Sequence, residues 1–132
     1  MKHTRIKCPY CGSKALLRPA SMVRKSAKPG EEVYVCGRYP VCDAYATSCR
    51  TSRLPMGTLA DKPLREKRRQ AHIALAKLWE LGLMSRKEAY RWLQLQLGLP
   101  EEDAHIGKFD LFRCEQVIRL CGSLTIPRQR AA

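Results

Sequence analysis

The sequence has no run of about eighteen apolar residues, the minimum for a membrane-spanning helix, so no membrane partner is expected. Its first residues, MKHTRIKCPYC, have no apolar signal core, so export is not expected either. It has no glycine-rich loop to cradle a phosphate, no HExxH pair and no nucleophile elbow. The adjacent carboxylates Glu101, Glu102 and Asp103 read as a solvated acidic turn and not as a magnesium site. The reading is therefore non-enzymatic. Acidic side chains are few, 12 against 25 lysines and arginines, which gives a formal charge of +13.

Cysteine is plentiful: there are seven. Without an export signal, that number fits a reducing cytoplasm and metal binding better than a disulfide framework. Four of the seven form two clusters. Cys8 and Cys11 sit in CPYCG with two residues between them, and Cys36 and Cys42 sit in CGRYPVC with five between them. A turn carrying Cys-x-x-Cys aims two sulfurs at one point, and zinc favours four such thiolates in a tetrahedron. Pro9 stiffens the first turn, and Gly12 lets the backbone fold back after it. Cys8, Cys11, Cys36 and Cys42 are thus the expected ligands of one structural Zn2+. Four thiolates leave no open position for water or substrate. Cys49 is the substitute if Cys42 is not used. Cys114 and Cys121, seven apart on one face of a helix, are expected in the core, and His105 as a structural residue and not a second metal site.

CPYCG, then ALLR at 15–18, then VYVCGRYPVC at 33–42, resembles the small four-cysteine zinc ribbons at the C-termini of bacterial type IA DNA topoisomerases. The likeness covers about residues 5–49. It implies the same four ligands, and basic and aromatic positions at Arg18, Tyr34, Tyr39 and Pro40. The hairpin segment 19–32 is longer than usual for such ribbons. The remainder cannot hold a topoisomerase catalytic domain, so the resemblance concerns a binding module. The whole chain also resembles a family of small zinc-finger-containing proteins of bacterial phages and integrated mobile elements, through the ribbon and a helical tail carrying GLMSRKEAYRWL at 82–93 and HIGKFD at 105–110. That likeness implies a setting and no activity.

The positive charge is unevenly placed. Residues 1–53 hold 11 basic against 3 acidic side chains, a net of +8; residues 54–72 hold 5 against 2, and residues 73–132 hold 9 against 7. A four-thiolate zinc removes about two charges from the ribbon's excess. The field that remains attracts polyanions, and nucleic acid is the expected partner, DNA first. Tyr10, Tyr34, Tyr39 and Tyr45 lie among Arg18, Arg38 and Arg50, an arrangement on which unpaired bases stack. Covering the metal is the competing role for Tyr34 and Tyr45.

The expected fold is small α+β: N-terminal zinc-ribbon β-hairpins followed by a compact three-helix unit. The ribbon spans 1–50, with strands at 15–18, 33–36 and 45–48. Arg24, Lys25 and Lys28 before Pro29 and Gly30 read as a basic hairpin tip, held in place only by an anion. Residues 51–62, with Pro55 and Gly57, read as a linker. The helical domain spans 63–122. Its first helix carries the apolar stripe Ile73, Leu75, Ala76, Leu78 and Trp79, and Gly82 closes it. Arg65, Lys67, Arg68 and Arg69 near its start oppose the helix dipole unless something anionic counters them. Ser85 and Glu88 form a capping box for a second helix, with Ala89, Trp92, Leu93 and Leu97 inward. Asp110 caps a third helix that Gly122 stops, and 123–132 is a basic tail.

The functional expectation is binding of single-stranded DNA with weak sequence specificity, through Arg18, Arg24, Lys25, Lys28, Tyr34, Arg38 and Tyr39. The alternative is a protein-binding adaptor, or an inhibitor of a host nuclease or other nucleic-acid enzyme, with a host or phage protein as its partner.

Overall fold

The computed structural model describes residues 6–125, and the chain divides into two units after Arg65. The fold is α+β. In the first unit, β1 (Ala15–Pro19), β2 (Glu32–Cys36) and β3 (Tyr45–Thr47) form one antiparallel sheet in the order β1-β2-β3. Ala15 pairs with Cys36 and Leu17 with Tyr34, while Val33 pairs with Thr47 and Val35 with Tyr45.

Side chains alternate across a strand, so β2 sends Tyr34 and Cys36 to one face and Val33 and Val35 to the other. Both faces are covered. Cys8, Tyr34, Cys36, Ala44, Ala46 and Leu59 form a cluster on the cysteine face. Ala20, Val33 and Val35 form another on the opposite face, with Leu16, Val23, Ala27, Tyr39 and Tyr45 packed around them.

The long hairpin segment builds that second cluster. The tip read from the sequence as held only by an anion is instead folded against the sheet. A short 3-10 turn (Ala20–Met22) buries Ala20 completely. Ala20 N donates to Glu31 O, Arg24 N to Ala20 O, Ala27 N to Arg24 O and Glu31 N to Lys28 O. The Glu31 carboxylate accepts from Lys28 N at 2.6 Å and pairs with Arg24 at 3.7 Å.

Residues 51–62, read as a linker, return to the sheet. Bridges join Ser48 to Pro55 and Tyr45 to Ala60, and Leu59 and Ala60 are buried at 1% exposure each. Two apolar side chains without helical periodicity were enough to seat this stretch, which is why its pattern read as unstructured. Asp61 then starts α1 (Lys62–Glu80): its carboxylate accepts from Leu64 N at 3.2 Å and its carbonyl from Arg65 N.

The second unit packs α1 beyond Arg65 with α2 (Arg86–Leu97) and α3 (Leu111–Thr125). Its buried residues include Leu75, Leu78, Ala89, Leu93, Ile106, Phe109, Cys114, Val117 and Cys121. Ile73, expected inward, is 45% exposed, whereas Ala71 is fully buried, so the buried stripe runs Ala71, Leu75, Leu78. Trp79 is half-buried and stacks on Tyr90 with centroids 6.0 Å apart, beneath the Arg86 guanidinium.

The capping box is present: Glu88 N donates to Ser85 Oγ at 3.0 Å, and Ser85 N to Glu88 Oε1 at 2.8 Å. Asp110 caps α3 through Arg113 N at 2.8 Å. The helix does not stop at Gly122, however, but runs to Thr125, whose hydroxyl bonds Gly122 O. A glycine inside a helix costs only about 1 kcal/mol, and this one keeps an ordinary helical backbone. Residues 1–5, and 126–132 of the expected basic tail, lie outside the described residues.

Candidate metal centre

Each half of the site is a knuckle held by its own backbone. In the first, Cys8 N donates to Ser13 O and Gly12 N to Cys8 O, both at 2.8 Å. Gly12 adopts φ 76°, where a side chain would be strained. In the second, Tyr39 N donates to Cys36 O at 2.9 Å, Cys42 N to Arg38 O at 3.2 Å, and Arg38 N points at Cys36 Sγ at 3.4 Å. The Tyr39–Pro40 bond in this knuckle is cis. The two halves meet where Gly37 N donates to Lys14 O at 2.9 Å. A Cβ at Gly37 would lie 2.8 Å from that carbonyl, so only glycine permits the approach.

The four sulfurs converge. Cys8 and Cys42 Sγ are 3.5 Å apart, Cys11 and Cys36 Sγ are 3.4 Å apart, and all four ligand atoms lie within 4.8 Å of one another. A tetrahedron with metal–sulfur bonds of about 2.3 Å has sulfurs about 3.8 Å apart, so the donor set fits one tetrahedral ion. Cys8 and Cys36 are buried, Cys42 is half-buried and Cys11 is exposed.

The thiols differ in acidity. Hydrogen bonding with Ser13, through its side chain and then its backbone, lowers Cys11 to about 6. Burial pushes Cys36 up to about 12. At Cys42 the backbone hydrogen bond from Ala44 lowers the value, but burial and the neighbouring Cys8 thiol leave it raised. Without a metal, Cys36 and Cys42 therefore hold their protons at neutral pH.

The remaining cysteines stand apart from this cluster. Cys49 Sγ lies 3.3 Å from Thr51 Oγ1 and is lowered to about 6, chiefly by hydrogen bonding with Ser52. Cys42 fills the fourth position, so the substitute is not needed. Cys114 and Cys121 lie in the helical core, where burial pushes each thiol up to about 11. His105 is exposed, and its carbonyl accepts from Lys108 N.

The residues expected to touch nucleic acid fall into three groups. Arg18, Lys25, Lys28 and Arg38 are exposed on the ribbon. Arg24 is half-buried and ion-paired with Glu31, and Tyr39 is half-buried against the Val33–Val35 cluster. Tyr34 departs from expectation: it is 9% exposed, packs among Cys8 and Cys36, and donates its hydroxyl to Arg53 O. Its ring has no face to offer a base. The strand alternation that puts Tyr34 on the same face as Cys36 dictates this, and that signal was present in the sequence.

One structural residue was missed. Arg65 donates to the Asp43 and Ala60 carbonyls, both at 2.7 Å, meets the Asp43 carboxylate at 3.2 Å, and lies 4.1 Å above the Tyr45 ring. It fastens the segment just after Cys42 to the end of the first unit. Three more cations near the start of α1 also have partners within the chain: Lys67 meets Glu115 at 2.6 Å, Arg68 donates to Phe109 O at 2.9 Å, and Arg69 meets Glu66 at 2.7 Å.

A three-stranded antiparallel sheet with two cysteine knuckles closing on one point defines a zinc-ribbon type of metal module. The chain belongs to the DUF3268 family, a zinc-finger-containing domain, whose family model matches residues 4–123. No curated protein and no solved structure matches it.

Proposed function

We propose that this protein is a non-catalytic zinc-ribbon module that binds nucleic acid, single-stranded DNA in preference to duplex, with weak sequence specificity. The metal is one structural Zn2+ on Cys8, Cys11, Cys36 and Cys42. When bound, it ties the two knuckles together and supplies much of the folding free energy of a module this small. The resemblance to ribbons of topoisomerases and to proteins of phages and mobile elements supports a bacterial cytoplasmic setting.

The observation that carries the reading is the exposed positive charge of the ribbon. Lys7, Lys14, Arg18, Lys25, Lys28, Arg38 and Arg50 are all exposed, and none forms an ion pair among the described residues. Such cations would pair with phosphates and displace condensed counterions. Tyr10, 46% exposed, and the half-buried Tyr39 remain as stacking surfaces. Sequence reading needs a recognition element in a groove, and the ribbon has only short strands and turns to offer.

A second reading, a protein-binding adaptor or an inhibitor of a nucleic-acid enzyme, is favoured by Leu95 and Phe112, which stand 75% and 69% exposed on the helical unit. Fluorescence anisotropy with zinc-loaded protein and labelled single-stranded and duplex DNA separates the two. Micromolar or tighter binding near physiological salt, stronger for single strands, is expected. Binding confined to low salt and equal for both forms would remove the nucleic-acid reading and leave the adaptor.

A further inference from the structure

The folded loop at 19–32 contains a groove of about 320 Å³. Pro19, Ala27 and Pro29 supply its apolar lining, and Ser21, Lys28 and Glu31 its polar groups. Arg50 approaches from beyond β3: a Cβ at Gly30, which also lines the groove, would be 3.2 Å from Arg50 Nη2. Glu31 sits among three cations. Its carboxyl is held below the usual range first by the Lys28 backbone hydrogen bond and further by the charges of Arg24, Lys28 and Arg50. One carboxylate among three cations leaves the groove and its rim with two positive charges.

Resting on the nucleic-acid reading above, we infer that this groove receives one unstacked nucleotide of a single strand, its base against Pro19, Ala27 and Pro29 and its phosphate at the rim on Lys28 and Arg50. The volume is at the small end of ligand sites, which begin near 300 Å³, and suits one nucleotide and not a base pair. The mixed lining matches the ligand: apolar side chains for a base, a hydroxyl for its edge, and cations for the phosphate. Glu31 inside the groove repels a phosphate there, which places the phosphate outward, where the strand continues. A base must leave its stack to enter, which favours single strands over duplex.

The test uses the full zinc-loaded chain. In a 15N-correlated NMR titration with deoxycytidine monophosphate, the amides of Ser21, Ala27, Lys28, Gly30 and Glu31 shift together and saturate. Inorganic phosphate moves only the rim. In oligonucleotide anisotropy, S21W, which fills the groove, weakens binding about tenfold, the scale of one lost base contact. R50A flattens the log–log salt slope by about one. Zinc content and far-UV circular dichroism establish that each variant is folded, and if S21W is not, R50A and the NMR titration decide. Shifts scattered over other amides, or folded variants that bind as the wild type does, overturn the groove while leaving the nucleic-acid reading in place. Failure of the wild type to bind any oligonucleotide overturns both.

Discussion

Replacing Arg65 with alanine is expected to loosen the metal centre without touching a ligand. The guanidinium makes two 2.7 Å hydrogen bonds to backbone carbonyls, those of Asp43 and Ala60, and covers the Tyr45 ring at 4.1 Å. Charge-assisted hydrogen bonds contribute about 1.5–3 kcal/mol each when buried, and a cation over an aromatic ring about 0.5–1 kcal/mol near the surface. The Arg65 side chain is 25% exposed and the Asp43 side chain 41%, so their ion pair adds little beyond this. Water also reaches part of the hydrogen-bonded end, and alanine regains a few tenths of a kcal/mol of helix propensity in α1. The net loss is about 2–3 kcal/mol. Because folding of the ribbon and metal binding are one equilibrium, that loss appears as a weaker apparent zinc affinity, by roughly 30- to 150-fold. Competition with a chromophoric chelator measures it. R65K keeps the charge but not the planar fork that reaches two carbonyls and the Asp43 carboxylate together, and should recover less than half of the loss. Wild-type zinc affinity and wild-type unfolding in R65A would refute the reasoning.

Three further outcomes follow from the same geometry. Zinc addition near pH 7 releases about two protons or more, because Cys36, pushed up to about 12, and Cys42, also raised, are protonated before the metal arrives. Apparent affinity therefore falls steeply as pH drops through the neutral range, and a pH-independent affinity would contradict it. Y34F, which loses only the bond to Arg53 O, costs about 1 kcal/mol in urea unfolding and leaves single-strand affinity within twofold, whereas R38A lowers affinity and salt slope. Weakened DNA binding by a folded Y34F would place the Tyr34 hydroxyl at the interface instead of on Arg53 O. S85A removes one bond of the capping box and lowers helical stability by about 1 kcal/mol, read by circular dichroism; no loss would deny the cap its role.

The metal site was legible because its signals are local. CPYCG and CGRYPVC carry both the ligands and the turns that aim them, and Ser85 with Glu88, or Asp110 before its helix, act over three residues. What was not legible depends on distant partners. Leu59 and Ala60 acquire meaning only when 51–62 returns to β3, and Val23 and Ala27 only when the long hairpin folds over Val33 and Val35. Arg65 read as an unfavourable charge in the first turn of α1 because its partners lie 5 and 22 residues back in the chain. Tyr34 is the instructive case. Its aromatic character suggested a base platform, but its parity with Cys36 along β2 already assigned it to the metal-side core.

The most direct measurement is a salt series of single-strand DNA binding carried out on zinc-loaded protein and on the same protein after chelation. The account predicts a straight log–log salt dependence, set by several phosphate contacts, for the zinc-loaded form, and loss of binding when the four thiolates give up their ion. Equal binding with and without zinc would contradict it, since the cations would then act as a charged chain and not as a surface the metal holds in place.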